Sequence, residues 1–460
     1  MLLKYFYDRA LAQASYLIGC QETGEALIID PARDISPYLQ AAQAENLRIT
    51  QVTETHIHAD FVSGIREIAA HTGARMYLSG EGGAEWQYQF VDAHTTLLQD
   101  EDTWMLGNIR IQAIHTPGHT PEHLIFAITD TKTTEQPFGL ITGDCLFVGD
   151  VGRPDLLEVA AGYANTAEIG ARGQFRNLQM LKALPDYLQI LPGHGAGSAC
   201  GKALGAVPSS TLGYEKLVNP AFQFEDEDAF VNWLLSDQPP APRYFAQMKH
   251  VNKQGAPLVN TLPQPEPMER FLLNDVVRSN ALVIDTRRRN VHVACALHIQ
   301  PSDQFSTYAG WFVDYAHPVY LIATPEQVAG LASQLRAVGI DNLAGYFAPD
   351  EVDIYSGTLP VIDARAAAER IRKGALVLDV RSVSEYQEKH ISGALNIPYH
   401  DLPKRLGELP THQSIVIHCA TGIRSQIAAS LLERHNFTGF AHLDGGLDAW
   451  IAAGQPVEKG

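Results

Sequence analysis

A chain of 460 residues is too long for one hydrophobic core and should divide into about three domains of the usual size. Its content of 45% hydrophobic and 19% charged residues is that of an ordinary globular protein, which excludes a disordered or fibrous chain. The net charge of −18 excludes the broad basic face that phosphate backbones require, so no nucleic-acid partner is expected and anionic substrates must be met by local positive charge.

In chain order, the opening stretch MLLKYFYDRALAQASYLIGC carries Lys4, Asp8 and Arg9 within its first apolar run, unlike a signal peptide. No segment approaches the roughly 18 apolar residues of a membrane span. A cytoplasmic protein with no membrane partner is expected. Cys20, Cys145, Cys200, Cys295 and Cys419 lack paired spacing, which suggests reduced thiols rather than a disulfide frame.

Residues 1–235 alternate β-branched runs with helical stretches, as in EALIID, SPYLQAAQAEN and RITQVTETH, and read as an α/β domain. Residues 236–268 are proline-rich (SDQPPAPRYF, then LPQPEPM) and are expected to form an extended connector. Beyond it lies an internal repeat: ALVIDTR with ACALHI, and later ALVLDVR with SGALNI. Two similar domains, 269–355 and 356–460, each alternate strands and helices in the manner of a parallel sheet.

In the first domain, QVTETHIHADF sets His56, His58 and Asp60 on the loop where an apolar strand ends. TPGHTPEH adds His119, TGDCLF adds Asp144 and LPGHG adds His194, each after an apolar strand and a glycine-marked turn. Four such groups in order point to a metal site. The pattern H-x-H-x-D, PGHT, TGD, PGH resembles the metallo-β-lactamase superfamily, whose fold is an αββα sandwich. GDxLFxxxxGRxD, here Gly143 to Asp155, looks most similar to its persulfide dioxygenase branch. That resemblance implies a single Fe(II) held by His56, His119 and Asp144. Superfamily hydrolases with two zinc ions place a histidine directly after the motif aspartate, where this chain has Phe61. A phenyl ring cannot bind metal, and two histidines with one carboxylate suit non-haem iron better than closed structural zinc. His58, Asp60 and His194 are then expected to orient ligands or water through hydrogen bonds, or to bind metal themselves. Arg153 is a candidate partner for an anionic group of the substrate.

In the last domain, SIVIHCATGIRSQ places Cys419 at a strand end and Arg424 at the start of a helix. Loop N–H groups, the helix N-terminus and Arg424 can together stabilise a thiolate or its persulfide, making Cys419 a nucleophile. Cysteine phosphatases use a cradle one residue larger. With LVLDVRSVSEYQEKHISGALNIP before it and LDGGLDAW after it, the segment resembles a rhodanese, which implies Cys419 as sulfur carrier and Arg424 as its loop partner. Asp379 and Arg381 should hold the scaffold. The middle repeat has the same pattern without a cysteine in its corresponding loop and should be catalytically silent. Cys295 reads as a structural thiol, and Cys200, in the glycine-rich PGHGAGSACGK, as a candidate relay thiol.

The resemblances together imply an enzyme that oxidises a low-molecular-weight thiol persulfide with O2 to sulfite and moves sulfane sulfur through Cys419, giving thiosulfate, in sulfide detoxification. Two alternatives are a zinc-dependent thioester hydrolase resembling glyoxalase II and a non-catalytic persulfide carrier or sensor. Superfamily relatives often associate, which carries an expectation of a homo-oligomer.

Overall fold

The computed structural model describes residues 1–159, 166–279, 281–288, 291–294, 296–410 and 412–459. Cys295 therefore lies outside the described residues. The chain forms two compact units, residues 1–262 with 335–339 and residues 263–334 with 340–460.

The first unit contains two six-stranded sheets. One runs in sequence order from Leu2–Asp8 through Gln13–Cys20, Glu25–Ile29, Arg48–Thr53 and Arg75–Ser79 to Thr95–Leu98, antiparallel among its first three strands and parallel thereafter. The other runs from Thr103–Leu106 to Ser210–Thr211, also in sequence order, and pairs Gly139–Gly143 with Gln189–Pro192 in parallel. Side chains alternate between faces of a strand. Tyr16, Ile18, Leu27 and Ile29 thus pack with Ile111, Leu124, Phe126 and Ile141 in the core between the sheets. Their neighbours Leu17 and Ile28 face outward, onto Tyr38, Ile65 and Ile68 from two helices. On the outer face of the second sheet, Leu140 and Ile190 meet Leu178 and Leu181 of the helix Thr166–Lys182. Cover on both faces explains why every residue of Gln13–Cys20 is buried. The result is the expected αββα sandwich.

The expected extended connector is corrected in part. Within residues 236–268, Tyr244–Gln254 is an α-helix that buries Tyr244, Phe245, Met248, Lys249 and Asn252 against the first unit. Those positions recur with the helical period, and the prolines before them only precede the first turn. Asn252 reaches the loop carrying the predicted metal ligands: its Nδ2 donates to the carbonyls of His58 (2.8 Å) and Phe61 (2.7 Å), and its Oδ1 accepts from Ser63 N–H (2.9 Å).

The second unit holds two five-stranded parallel sheets of identical connectivity. In the first, Leu282–Asp285, Val319–Ile322 and Leu343–Phe347 take the places that Leu376–Asp379, Ile415–His418 and Phe440–Leu443 take in the second. Ala323 follows the first sheet's central strand where Cys419 follows the second's. The internal repeat is therefore structural, and its first copy lacks a nucleophile at that position.

Replacing Asn252 with alanine should leave two buried carbonyls and one buried N–H without partners, at a cost of about 3 kcal/mol. Denaturant unfolding of Asn252→Ala should show an earlier midpoint for the first unit with unchanged slope; an unmoved midpoint would contradict this anchoring role.

Candidate metal centre and sulfur-transfer loop

Strand ends from both sheets bring the predicted ligands together. Nitrogen atoms of His56 and His119 and a carboxylate oxygen of Asp144 lie within 4.8 Å of one another, all buried. His119 Nε2 is 3.5 Å from Asp144 Oδ2. Local hydrogen bonds aim each imidazole. His119 Nδ1–H donates to the Arg153 carbonyl (2.8 Å), which leaves Nε2 as the lone-pair atom. Thr55 Oγ1 donates to the Asp30 carboxylate (3.1 Å) and accepts from His56 Nδ1–H (2.9 Å), with the same consequence. Burial first, then neighbouring positive charge, keeps both imidazoles neutral well below the usual histidine range.

His58 does not join them. Its Nε2 is 3.0 Å from Asp30 Oδ1, and although burial opposes its charge, the charges of Asp30, Glu54 and Asp60 lift it to about 9. The Phe61 ring packs on it with centroids 4.4 Å apart. Asp30, held by Thr55 N–H as well (2.7 Å), is thus the hub that orients His58 directly and His56 through Thr55. His123, two residues past Pro121 in the same segment as His119, accepts from the backbone N–H of Asp144 (3.0 Å) and positions that ligand from behind.

The donor set fits a metal cation. Both Asp144 oxygens are buried with no N–H or O–H donor among the described residues, only the weak thiol donor of Cys200 beside them. Burial raises this carboxyl to about 6. A divalent cation reverses that penalty, and two nitrogens with one oxygen suit it.

Asp60, His194 and Cys200 form a second buried group of potential ligands. His194 Nδ1–H donates to the Ala12 carbonyl (3.1 Å), so its Nε2 lone pair faces Asp60 Oδ2 at 3.3 Å and Asp144 Oδ1 at 3.5 Å. Sequence assigned Asp60 and His194 a supporting or metal-binding role and Cys200 a relay role; the geometry gives all three ligand-like positions. Burial and the two aspartates push the Cys200 thiol well above its usual range. Cys20 sits in the core between the sheets and Cys145 in the outer core, the latter raised to about 12 by burial.

The expected substrate contact of Arg153 is corrected. Its guanidinium is 2% exposed and donates from Nε (2.8 Å) and Nη2 (2.6 Å) to Asp155, and from Nη1 to the carbonyls of Ala199 (3.2 Å) and Pro239 (2.5 Å). These bonds tie together the loops behind His119 and Cys200.

In the second unit, Cys419 ends the strand Ile415–His418 and its Sγ accepts from Gly422 N–H at 3.1 Å, beside the N-terminus of the helix Ile423–Arg434. Arg424 is held by a two-pronged pair with Glu385 (2.7 Å each), which draws that carboxyl down to about 2 despite its partial burial. The LDGGLDAW motif supports the loop from behind. Leu447 N–H donates to the Cys419 carbonyl (2.7 Å), and a Cβ at Gly446 would stand 2.4 Å from the carbonyl oxygens of Cys419 and Ala420. Arg381 pairs with Asp379 and donates to the Lys389 carbonyl (2.7 Å) as scaffold. Tyr308, from the first repeat, lies within the field of Cys419 and Arg424.

Residues 8–194 match the metallo-beta-lactamase superfamily and residues 363–453 match the rhodanese-like domain. A metallo-beta-lactamase structure from Staphylococcus aureus is 42% identical, with a TM-score of 0.68, and the match covers 76% of this chain and 99% of that one. The chain belongs to the metallo-β-lactamase superfamily. It continues into a rhodanese-like domain at its C-terminal end. A hydroxyacylglutathione hydrolase from Polaromonas sp. is 30% identical over 272 residues, covering 52% of this chain and 94% of that protein. One from Nitrosococcus oceani is 34% identical over 203 residues, 42% of this chain and 66% of that protein. Among the described residues no helix is long and apolar enough to cross a membrane.

Thr55→Val removes the link between His56 and Asp30 while keeping shape. Competition with a metal-binding dye should show affinity roughly 10- to 100-fold weaker with the fold retained, and unchanged affinity would remove Thr55 from the ligand support.

Proposed function

We propose that the first unit oxidises a low-molecular-weight thiol persulfide with O2 to sulfite, and that Cys419 carries sulfane sulfur to or from that product. The observation that carries the reading is the open donor set His56, His119 and Asp144 beside Phe61, in one chain with a rhodanese-like Cys419 loop. Fe(II) held by His56, His119 and Asp144 would supply the redox chemistry that lets O2 react with a sulfur anion side by side. The protein's part is to aim both imidazoles through Thr55 and Arg153, to fix Asp144 through His123, and to keep the site buried from bulk water. One persulfide anion, one O2 and one water give one thiol, one sulfite dianion and one proton. The sulfane sulfur loses four electrons and O2 gains them.

At Cys419 the outer sulfur of a cysteine persulfide is transferred to sulfite. The sulfur–sulfur bond to Cys419 breaks, a new one forms to the sulfite sulfur, and the electron pair stays on Cys419 as thiolate. Gly422 N–H and the helix N-terminus favour that anion, with Arg424 locked beside it by Glu385. Both sites on one chain raise the effective concentration of one for the other's product. The free cysteines suit a reducing compartment such as the cytoplasm, and sulfide detoxification is the setting we assign.

A second reading is a two-metal thioester hydrolase. Asp60, His194 and Cys200 favour it by offering a second set of ligands, as does similarity to proteins named hydroxyacylglutathione hydrolase. Against it stands Phe61, where a two-zinc hydrolase needs an imidazole.

The test is product analysis after Fe(II)-loaded protein meets glutathione persulfide and O2. Wild type should give thiosulfate, and Cys419→Ser should consume O2 at a similar rate but accumulate sulfite. Thiosulfate from both proteins in equal yield would separate the rhodanese-like domain from the oxidation.

A further inference from the structure

The helix Tyr244–Gln254 does more than anchor the metal loop. Lys249 lies one helical turn before Asn252 and so on the same side of the helix. Its side chain is buried, and its Nζ has no hydrogen-bond acceptor or ion-pair partner within 4 Å among the described residues, the Glu122 carboxylate acting on it only from farther away. The ammonium rests 4.1 Å from the centre of the Trp86 ring, a face that favours a cation but accepts none of its three N–H donors. Trp86 and Glu122 close together around Gly82, where a Cβ would meet both side chains at 2.8 and 3.0 Å. Glu122 in turn is fastened to the metal loop, its Oε1 accepting from Ile57 N–H between His56 and His58 (2.9 Å), and its Oε2 is buried without a partner. Through Trp86 and Glu122, Lys249 is thus linked to the segment that carries His56 and His58, and its charge acts on the imidazoles of His56 and His119.

An unpartnered buried ammonium is costly unless an anion visits it. Glu122 ties this place to the metal loop between His56 and His58, so the anion expected to meet Lys249 is the reacting end of the substrate rather than a carrier's carboxylates or phosphates. We propose that Lys249 is the binding group for the anionic sulfur end of the substrate, first the persulfide anion and then the sulfite formed from it. This rests on the persulfide reading of the metal site. A fixed cation here meets both anions, the singly charged persulfide and the doubly charged sulfite. It also replaces Arg153, whose donors are taken, as the positive group that meets the anion.

Sulfite is the probe. Full-length protein is reduced with dithiothreitol to clear sulfane sulfur from Cys419, loaded with Fe(II) under anaerobic conditions and titrated calorimetrically. Lys249→Met should weaken sulfite binding about tenfold or more and raise KM for glutathione persulfide by a similar factor, with kcat less affected and iron content and Tm unchanged. Lys249→Arg should recover most of the affinity. If Lys249→Met does not fold, Lys249→Gln, uncharged but of similar reach, carries the same comparison. Sulfite affinity and KM unchanged in a folded, iron-loaded uncharged variant overturn the proposal while leaving the dioxygenase reading intact. A wild type that consumes no O2 but binds sulfite in a Lys249-dependent way supports the anion site and removes the dioxygenase reading instead.

Discussion

Four carboxylate oxygens, those of Asp60 and Asp144, lie in the interior with no N–H or O–H donor among the described residues, and this is the constraint around which the first unit is organised. Two unpaired carboxylates within reach of the same histidine would repel each other and shed water at a large penalty. A cation resolves that conflict. One ring nitrogen each of His56, His119 and His194, the other being engaged, is aimed where such a cation would sit. The sandwich supplies the reason these groups can meet: His56 and Asp60 follow a strand of one sheet, Asp144 and His194 follow strands of the other, and the core between the sheets fixes their spacing.

Much of this was legible in the sequence. Apolar runs with β-branched residues marked the strands, and metal-type side chains directly after them marked the ligands, because both signals are local. The repeat in the second unit was legible for the same reason, down to the missing cysteine at Ala323. What escaped was long-range. Asp30 and Thr55 meet only once two strands pair, and Cys200 reaches Asp60 and His194 only in the folded loop. His123 was in view beside His119, but nothing in the sequence said that it supports Asp144. Arg153 was read from its charge and its place one short loop beyond Asp144, whereas its partners on three separate segments are visible only in the fold. Around Tyr244–Gln254, the proline cluster outweighed an apolar stripe of helical period and hid a helix that completes the site.

The second unit follows a different economy. Its candidate nucleophile is a single sulfur that accepts from Gly422 N–H beside a helix N-terminus, and Gly446, Asp379, Arg381 and Glu385 hold the surrounding loops in shape. The first repeat meets the second by direct contact: the Leu297–His298 strand is bonded to the helix Ile423–Arg434 through His298 N–H and Ser430 Oγ (3.1 Å).

The central claim is that the His56, His119 and Asp144 site performs redox rather than hydrolytic chemistry. Its most direct test loads separate samples with Fe(II) and Zn(II) and measures O2 uptake on adding glutathione persulfide, with S-acylglutathione hydrolysis followed in parallel. The account predicts one O2 consumed per persulfide with iron and none with zinc. No uptake with either metal, together with zinc-dependent thioester hydrolysis, would contradict it.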